Sequence, residues 1–361
     1  MGKARQEQTP FLLGSQWECG GGFDEFKDTL IMDEEKITQI FNLEFPPYIE
    51  ELKIGDYIFK RVKNYKEAFD GMMCLVNSSG SEFNTQIKVG SHQITAIVEI
   101  PQKEKGCILP FGNTKLTQLD DVLFLLTIFT DRNVFKKDWE DSDNIAIISD
   151  HRIHQYGGQL ACSIKYDSRW KHVDTGELKT ETEMKGIPVF DYHQINIGFE
   201  NTINKVLDLI SSKKWQNEYE GGYFLFLFKS AMQRQIIETS FISCWTIWEH
   251  IFAIKNRKWL DNKAIEQMSG DKKIAFILNE YFLKNIDETA RKNIQKINKT
   301  RNRLIHFGKK TEQIDYDEMV MFIRLTEQLI AIIFELSPSN IFNSFEALDK
   351  FLAGKKKSGG K

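Results

Sequence analysis

Residues 291–308 read RKNIQKINKTRNRLIHFG, and this stretch decides the helical half of the chain. Four of its residues recur at spacings of three and four, as on one buried helix face: Ile294, Ile297, Arg301 and Leu304. Arg301 therefore stands where an apolar residue is expected, and a buried guanidinium is costly unless an anion meets it. Gly308 predicts that the helix ends just after His306.

The same stretch carries a marked excess of positive charge. Eight basic residues and no acidic one lie between Arg291 and Lys310, whereas the whole chain has a formal net charge of −3. A polyanion would find an electrostatic footprint here, although a solvated helix face is the alternative interpretation of such a charge run. If the polyanion is RNA, we expect Lys299, Arg303, Lys309 and Lys310 to contact it.

The helix also places groups that suit acid–base chemistry. Asn302 and His306 are one turn apart and share a face. In the last turn the helix dipole favours a cationic histidine, which suits a proton donor, while an arginine can hold a phosphate in a bidentate fork. Asn302 can orient the imidazole or bind a phosphate oxygen. The alternative is that Arg301 and His306 merely pair with carboxylates, such as Glu249, in a helical core.

Arg301, Asn302 and His306 spell R-N-x-x-x-H, which resembles the RxxxxH signature of HEPN domains. Over roughly residues 196–345, the resemblance implies a small helical bundle of a kind that commonly acts as a metal-independent endoribonuclease. It implies no cofactor, and a site formed where two copies meet in a homodimer. It assigns Arg301, Asn302 and His306 as catalytic. Apart from the resemblance, Glu249 on the predicted long helix is expected to support them.

The first half of the chain is predicted to be β-rich. Short apolar or alternating runs between turn residues predict strands at 57–59, 71–76, 93–100, 145–148 and 161–166. One exception is the apolar run 116–129, where Thr117 and Asp120 predict the start of a buried helix. This half resembles the β-rich domain that precedes the HEPN domain in Apea-like proteins, several of which are antiphage defence effectors. The resemblance implies that it senses a phage-derived trigger or restrains the nuclease.

The predicted fold class is α+β, with a β-rich domain followed by an all-α HEPN-like bundle. Apolar spacing predicts helices over residues 197–210, 228–254, 274–283, 288–306, 316–336 and 341–352. We expect residues 1–195 to form the sensor or regulatory domain, 196–353 the nuclease domain and 354–361 a disordered tail.

Several kinds of protein are excluded by composition. The five cysteines include no CxxC pair, which excludes a zinc knuckle and a disulfide scaffold. No membrane span or secretory signal is found, so a cytoplasmic protein is predicted. Asp150, His151 and His154 superficially resemble metal ligands, but no second cluster completes them, and no metal site is predicted.

The predicted function is an RNA-cleaving effector of antiphage defence or a toxin. One alternative is a non-catalytic HEPN-type module that binds RNA or a protein. Another is the HEPN half of a nucleotidyltransferase toxin–antitoxin pair, which is weakened because those modules are typically short and lack a large β-rich domain. Trp245 and Trp248 are expected in the core or a dimer interface, and Glu249 with His250 is equally explained as a packed or solvated helix pair.

Overall fold

The structure is a computed structural model. It describes residues 37–46, 48–66, 85–88, 94–109, 115–130, 134–136, 145–148, 167–232, 236–283, 285–307, 316–336 and 352. All of them belong to one compact unit, Lys36–Lys361. Strands predominate before residue 197 and helices after it, which confirms the α+β class.

The strands pair antiparallel in three groups. Their bounds are β1 Ile37–Phe41, β2 Glu51–Ile54, β3 Tyr57–Arg61, β4 Thr85–Lys88, β5 Ile94–Glu99, β6 Phe135–Lys136, β7 Ile145–Ile148, β8 Ser168–His172, β9 Leu178–Lys179 and β10 Tyr192–Asn196. The main sheet has the order β2-β3-β5-β1-β6, a second sheet has the order β10-β8-β9, and β4 pairs with β7. The strands predicted at 57–59, 93–100 and 145–148 are confirmed, whereas 71–76 and 161–166 lie outside the described residues.

Helix α1, Gln118–Thr130, is the predicted exception in the β-rich half. Eleven of its thirteen residues are buried, as expected for a helix that is apolar all round. Its start uses the predicted pair, because Asp120 Oδ2 accepts a hydrogen bond from the Thr117 backbone N–H at 2.8 Å.

Helix α1 also joins the β-rich half to the helices that follow. The Phe124 ring lies 4.9 Å from that of Phe226, and the Phe129 ring lies 6.1 Å from that of Phe334. Buried residues of both halves form one continuous hydrophobic cluster. The division of the chain at residue 195 stays a prediction.

The C-terminal half is built of helices. Their bounds are α2 Gly198–Ser211, α3 Lys213–Glu218, α4 Phe224–Met232, α5 Ile237–Asn256, α6 Asn262–Gln267, α7 Gly270–Phe282, α8 Glu288–Phe307 and α9 Tyr316–Ile333. Within the described part of the chain, no helix combines the length and apolar character that crossing a bilayer requires. The segments predicted as a terminal helix (341–352) and a tail (354–361) fall outside the described residues, apart from Leu352.

The prediction of one long helix over residues 228–254 is wrong. The chain breaks it into α4 and α5, and Ile236 before α5 has the extended dihedrals φ −102° and ψ 117°. Because the two helices pack on each other, Phe224 and Phe228 of α4 are fully buried beside α5. A single straight helix would carry these rings away from the core, so burial of apolar surface favours the break.

Candidate functional site: the buried face of helix α8

Helix α8 carries the residues singled out from the sequence. Asp287 caps its start, since its Oδ1 accepts a hydrogen bond from the Ala290 N–H at 2.7 Å. The predicted buried face is confirmed by its buried residues, which are Ala290, Ile294, Ile297, Thr300 and Leu304. The helix ends at Phe307, just after His306, as predicted.

Arg301 lies at the edge of this buried face, with 26% of its side chain exposed. Its Nη1 donates a hydrogen bond to Asn302 Oδ1 at 2.9 Å, and its Nη2 lies 3.5 Å from Glu249 Oε2 on α5. The Nε atom is buried and has no hydrogen-bond partner among the described residues. The guanidinium is thus held from two sides, while its Nε–H is among the donors that these contacts leave unused.

The contact with Glu249 was predicted from the sequence, but the residue that holds Glu249 was not. Trp245 Nε1 donates a hydrogen bond to Glu249 Oε1 at 3.1 Å. Both residues lie on α5 one turn apart, so the i, i+4 spacing was the available signal. Trp245 and Trp248 are both buried, as expected for core residues, and the hydrogen bond from Trp245 to Glu249 became visible only with the fold.

Asn302 and His306 lie further along the helix. Asn302 is half-buried against Arg301, whereas His306 is exposed in the last turn. From Arg301 to His306 the helix advances about 7.5 Å and turns by about 140°. The two side chains therefore leave α8 on different sides, and one copy of the helix does not direct both at the same small group.

The basic residues of α8 divide into paired and unpaired cations. Lys292 pairs with Glu288 at 2.7 Å and Lys296 with Glu318 at 3.0 Å, which neutralises part of the segment. Within the described ranges, three others are exposed without an ion-pair partner: Arg291, Lys299 and Arg303. Lys309 and Lys310 fall outside the residues that the structure describes.

His250, which follows Glu249, has different surroundings. Its ring meets the ring of Tyr223 edge-on at 5.9 Å between centroids. Burial holds the pKa of His250 below its ordinary value, with Glu220 opposing that shift and Arg257 adding to it. The described contacts therefore join Glu249, and not His250, to Arg301.

In the described segments, no group of three or more His, Cys, Asp and Glu side chains is arranged to hold a metal ion. Asp150, His151 and His154 are outside these segments.

Neither a curated protein nor a solved structure matches the chain. The family described as Apea-like HEPN matches residues 204–336, a range that includes α5, α8 and the whole Arg301 site. A domain of this kind indicates a nuclease or another RNA-related function. The match confirms the resemblance predicted from Arg301, Asn302 and His306, because residues 204–336 match the Apea-like HEPN family.

Proposed function

We propose that the protein is a metal-independent endoribonuclease whose reactive groups are Arg301, Asn302 and His306. The observation that carries the proposal is the state of the Arg301 guanidinium. Glu249 and Asn302 hold it in place, yet its buried Nε–H lacks a partner among the described residues. The described contacts use two of the five N–H donors, and since 26% of the side chain is exposed, a phosphate oxygen can accept a charge-assisted hydrogen bond from one of the others.

The geometry of the ion pair argues against the alternative that Arg301 merely neutralises Glu249. The ion pair is long, at 3.5 Å, and both side chains are 26% exposed. A pair of this kind typically contributes about 0–1 kcal/mol. Glu249 therefore orients the guanidinium without saturating its donors, and the exposed part of the side chain is available to a substrate.

The proposed reaction uses a nucleophile that RNA itself supplies. The ribose 2′-oxygen bonds to the adjacent phosphorus as the bond from phosphorus to the 5′-oxygen breaks. One proton leaves the 2′-hydroxyl and another reaches the departing 5′-oxygen, and His306 takes part in this transfer. Arg301 offsets the charge that builds on the phosphate oxygens, while Asn302 keeps the guanidinium in position. No cofactor is required for these steps.

We further propose a homodimer formed through the helical domain. The sides from which Arg301 and His306 leave α8 differ by about 140°, so a second copy would bring the missing group to the same phosphate. Light scattering at micromolar concentration is expected to give twice the monomer mass of 42.1 kDa. A strict monomer that still cleaves RNA would contradict this arrangement.

Exposed cations on α8 suit the backbone of the RNA. Arg291, Lys299 and Arg303 are accessible along the helix that carries the site, and Lys309 and Lys310 follow it in the sequence. Contacts of this kind release counterions from the nucleic acid and position it without reading its sequence.

The proposed biological role is antiphage defence or toxicity in the cytoplasm, with the β-rich part sensing a phage-derived trigger. The Apea-like match supports this role. The shared core between α1 and the later helices offers a physical route by which the β-rich part can affect the nuclease. Plaque counts on cells that express the wild-type or the His306→Ala chain test it, and equal protection by both would exclude a nuclease effector.

The function itself is tested by incubating purified protein with total cellular RNA in EDTA. We expect cleavage to persist and to leave 2′,3′-cyclic phosphate and 5′-hydroxyl ends, because the 2′-hydroxyl is the nucleophile. DNA, and RNA with a single 2′-deoxy substitution at the scissile position, should remain intact there. RNA binding without any cleavage would favour the non-catalytic module, and activity only with a nucleotidyltransferase partner would favour the toxin–antitoxin alternative.

A further inference from the structure

We propose that Trp245 is a positioning residue for Arg301 and that it acts through Glu249. The inference rests on the proposed function, because it concerns the same guanidinium. One carboxylate bridges the two residues: Oε1 accepts a hydrogen bond from Trp245 Nε1 at 3.1 Å, and Oε2 lies 3.5 Å from Arg301 Nη2. A side chain of the core is thereby connected to the reactive edge of α8.

The Glu249 carboxylate needs the hydrogen bond from Trp245 to hold Arg301 in one position. Glu249 is partly exposed, and its long ion pair with Arg301 does not by itself fix the rotamer of the Glu249 side chain. A hydrogen bond from a buried indole to a charged acceptor is stronger and directional. With Oε1 fixed, the position of Oε2 follows, and so does the direction in which Arg301 is drawn.

The indole itself has little freedom to move. Trp245 is 1% exposed, and its ring stacks on that of Phe322 at 5.7 Å between centroids. Gly270, the first residue of α7, also lies close against the indole, because a Cβ there would lie 2.6 Å from Trp245 Cζ2. A side chain at position 270 would therefore displace the ring, which explains glycine at this contact.

The test replaces Trp245 with Phe, which keeps an aromatic ring and removes the N–H. The matched control is Trp248→Phe on the same helix, since Trp248 is equally buried and its Nε1 donates to Thr326 Oγ1 at 2.9 Å. We expect kcat for RNA cleavage to fall about tenfold to a hundredfold in Trp245→Phe, the loss typical of a misplaced catalytic group. In Trp248→Phe, kcat should stay unchanged although both variants lose thermal stability to a similar extent.

A double-mutant cycle separates positioning from loss of packing. If Trp245 acts through Glu249, adding Trp245→Phe to Glu249→Ala should cause no further loss of kcat. Losses that multiply, or an equal fall of kcat in Trp245→Phe and Trp248→Phe, would overturn the inference. If Trp245→Phe does not fold, Gly270→Ala serves instead, because it displaces the indole and should lower kcat in the same way.

A readout without cleavage distinguishes this inference from the proposed function. In arginine-labelled protein, the Nε–H resonance of Arg301, assigned by its loss in Arg301→Lys, should shift in Trp245→Phe and not in Trp248→Phe. If the resonance shifts in Trp245→Phe but the wild-type protein shows no RNase activity, the nuclease proposal is refuted and the positioning role is kept. An unmoved resonance would refute the positioning role even if the protein cleaves RNA.

Discussion

His306→Ala is expected to lower the rate of RNA cleavage about 10²–10⁴-fold, the range typical of losing one acid–base group. The imidazole lies exposed in the last turn of α8, where a bound RNA can reach it. Because the position is exposed, the free energy of unfolding should change by only about 0.5 kcal/mol. Single-turnover cleavage of a labelled RNA measures the rate, and fluorescence anisotropy measures binding, which should be nearly retained.

In His306→Gln the rate of RNA cleavage should fall as far as in His306→Ala, since an amide cannot exchange protons near neutral pH. The matched control is His193→Ala, which removes another exposed histidine, on β10 and away from α8, and should cleave at the wild-type rate. Undiminished activity of purified His306→Ala would remove this histidine from the mechanism. Cleavage that stops in EDTA would remove the metal-independent mechanism altogether.

Arg301→Ala is expected to lower cleavage about 10²–10³-fold, the usual cost of removing one group that stabilises transition-state charge. Arg301→Lys should cleave RNA little faster than Arg301→Ala, because an ammonium is a point charge and lacks the planar fork that meets two phosphate oxygens. The loss should appear mainly in kcat, since the interaction strengthens as charge builds in the transition state. Single-turnover kinetics at saturating protein concentration measure it.

The control for Arg301→Ala is Arg257→Ala, at the end of α5. Arg257 pairs with Glu220, so the control also removes one cation and one ion pair, at a position away from the Arg301 site. It should cleave normally. Equal loss of activity in both variants would mean that net charge, and not the Arg301 guanidinium, supports cleavage.

Local sequence patterns predicted helices and strands correctly in segments whose buried residues recur at a regular spacing. The spacing of Ile294, Ile297 and Leu304 predicted α8, and the pair Thr117 and Asp120 predicted the start of α1. The same reasoning failed over residues 228–254, where helical spacing predicted one helix and the chain forms α4 and α5. Period alone cannot show where a chain turns back, because the turn depends on which partner buries the apolar surface.

The candidate site was predicted in part for the same reason. Arg301, Asn302 and His306 belong to one helix, so their spacing along the sequence sets their spacing in space. Glu249 was a plausible neighbour of Arg301 because a buried cation needs an anion. Trp245 was assigned only to the core or an interface, since a buried indole is usually explained by packing.

The sequence was sufficient for whatever depends on neighbours within one or two turns: the helix of the R-N-x-x-x-H motif, its buried stripe, its charge and the α+β class. The tertiary structure alone brought together groups 52 residues apart, Glu249 and Arg301, and placed α1 against the later helices. It also closed the space around Trp245 with Gly270. The physical reason is range, because helix periodicity is a local property of the backbone, whereas the choice of packing partner depends on how all apolar faces are buried together.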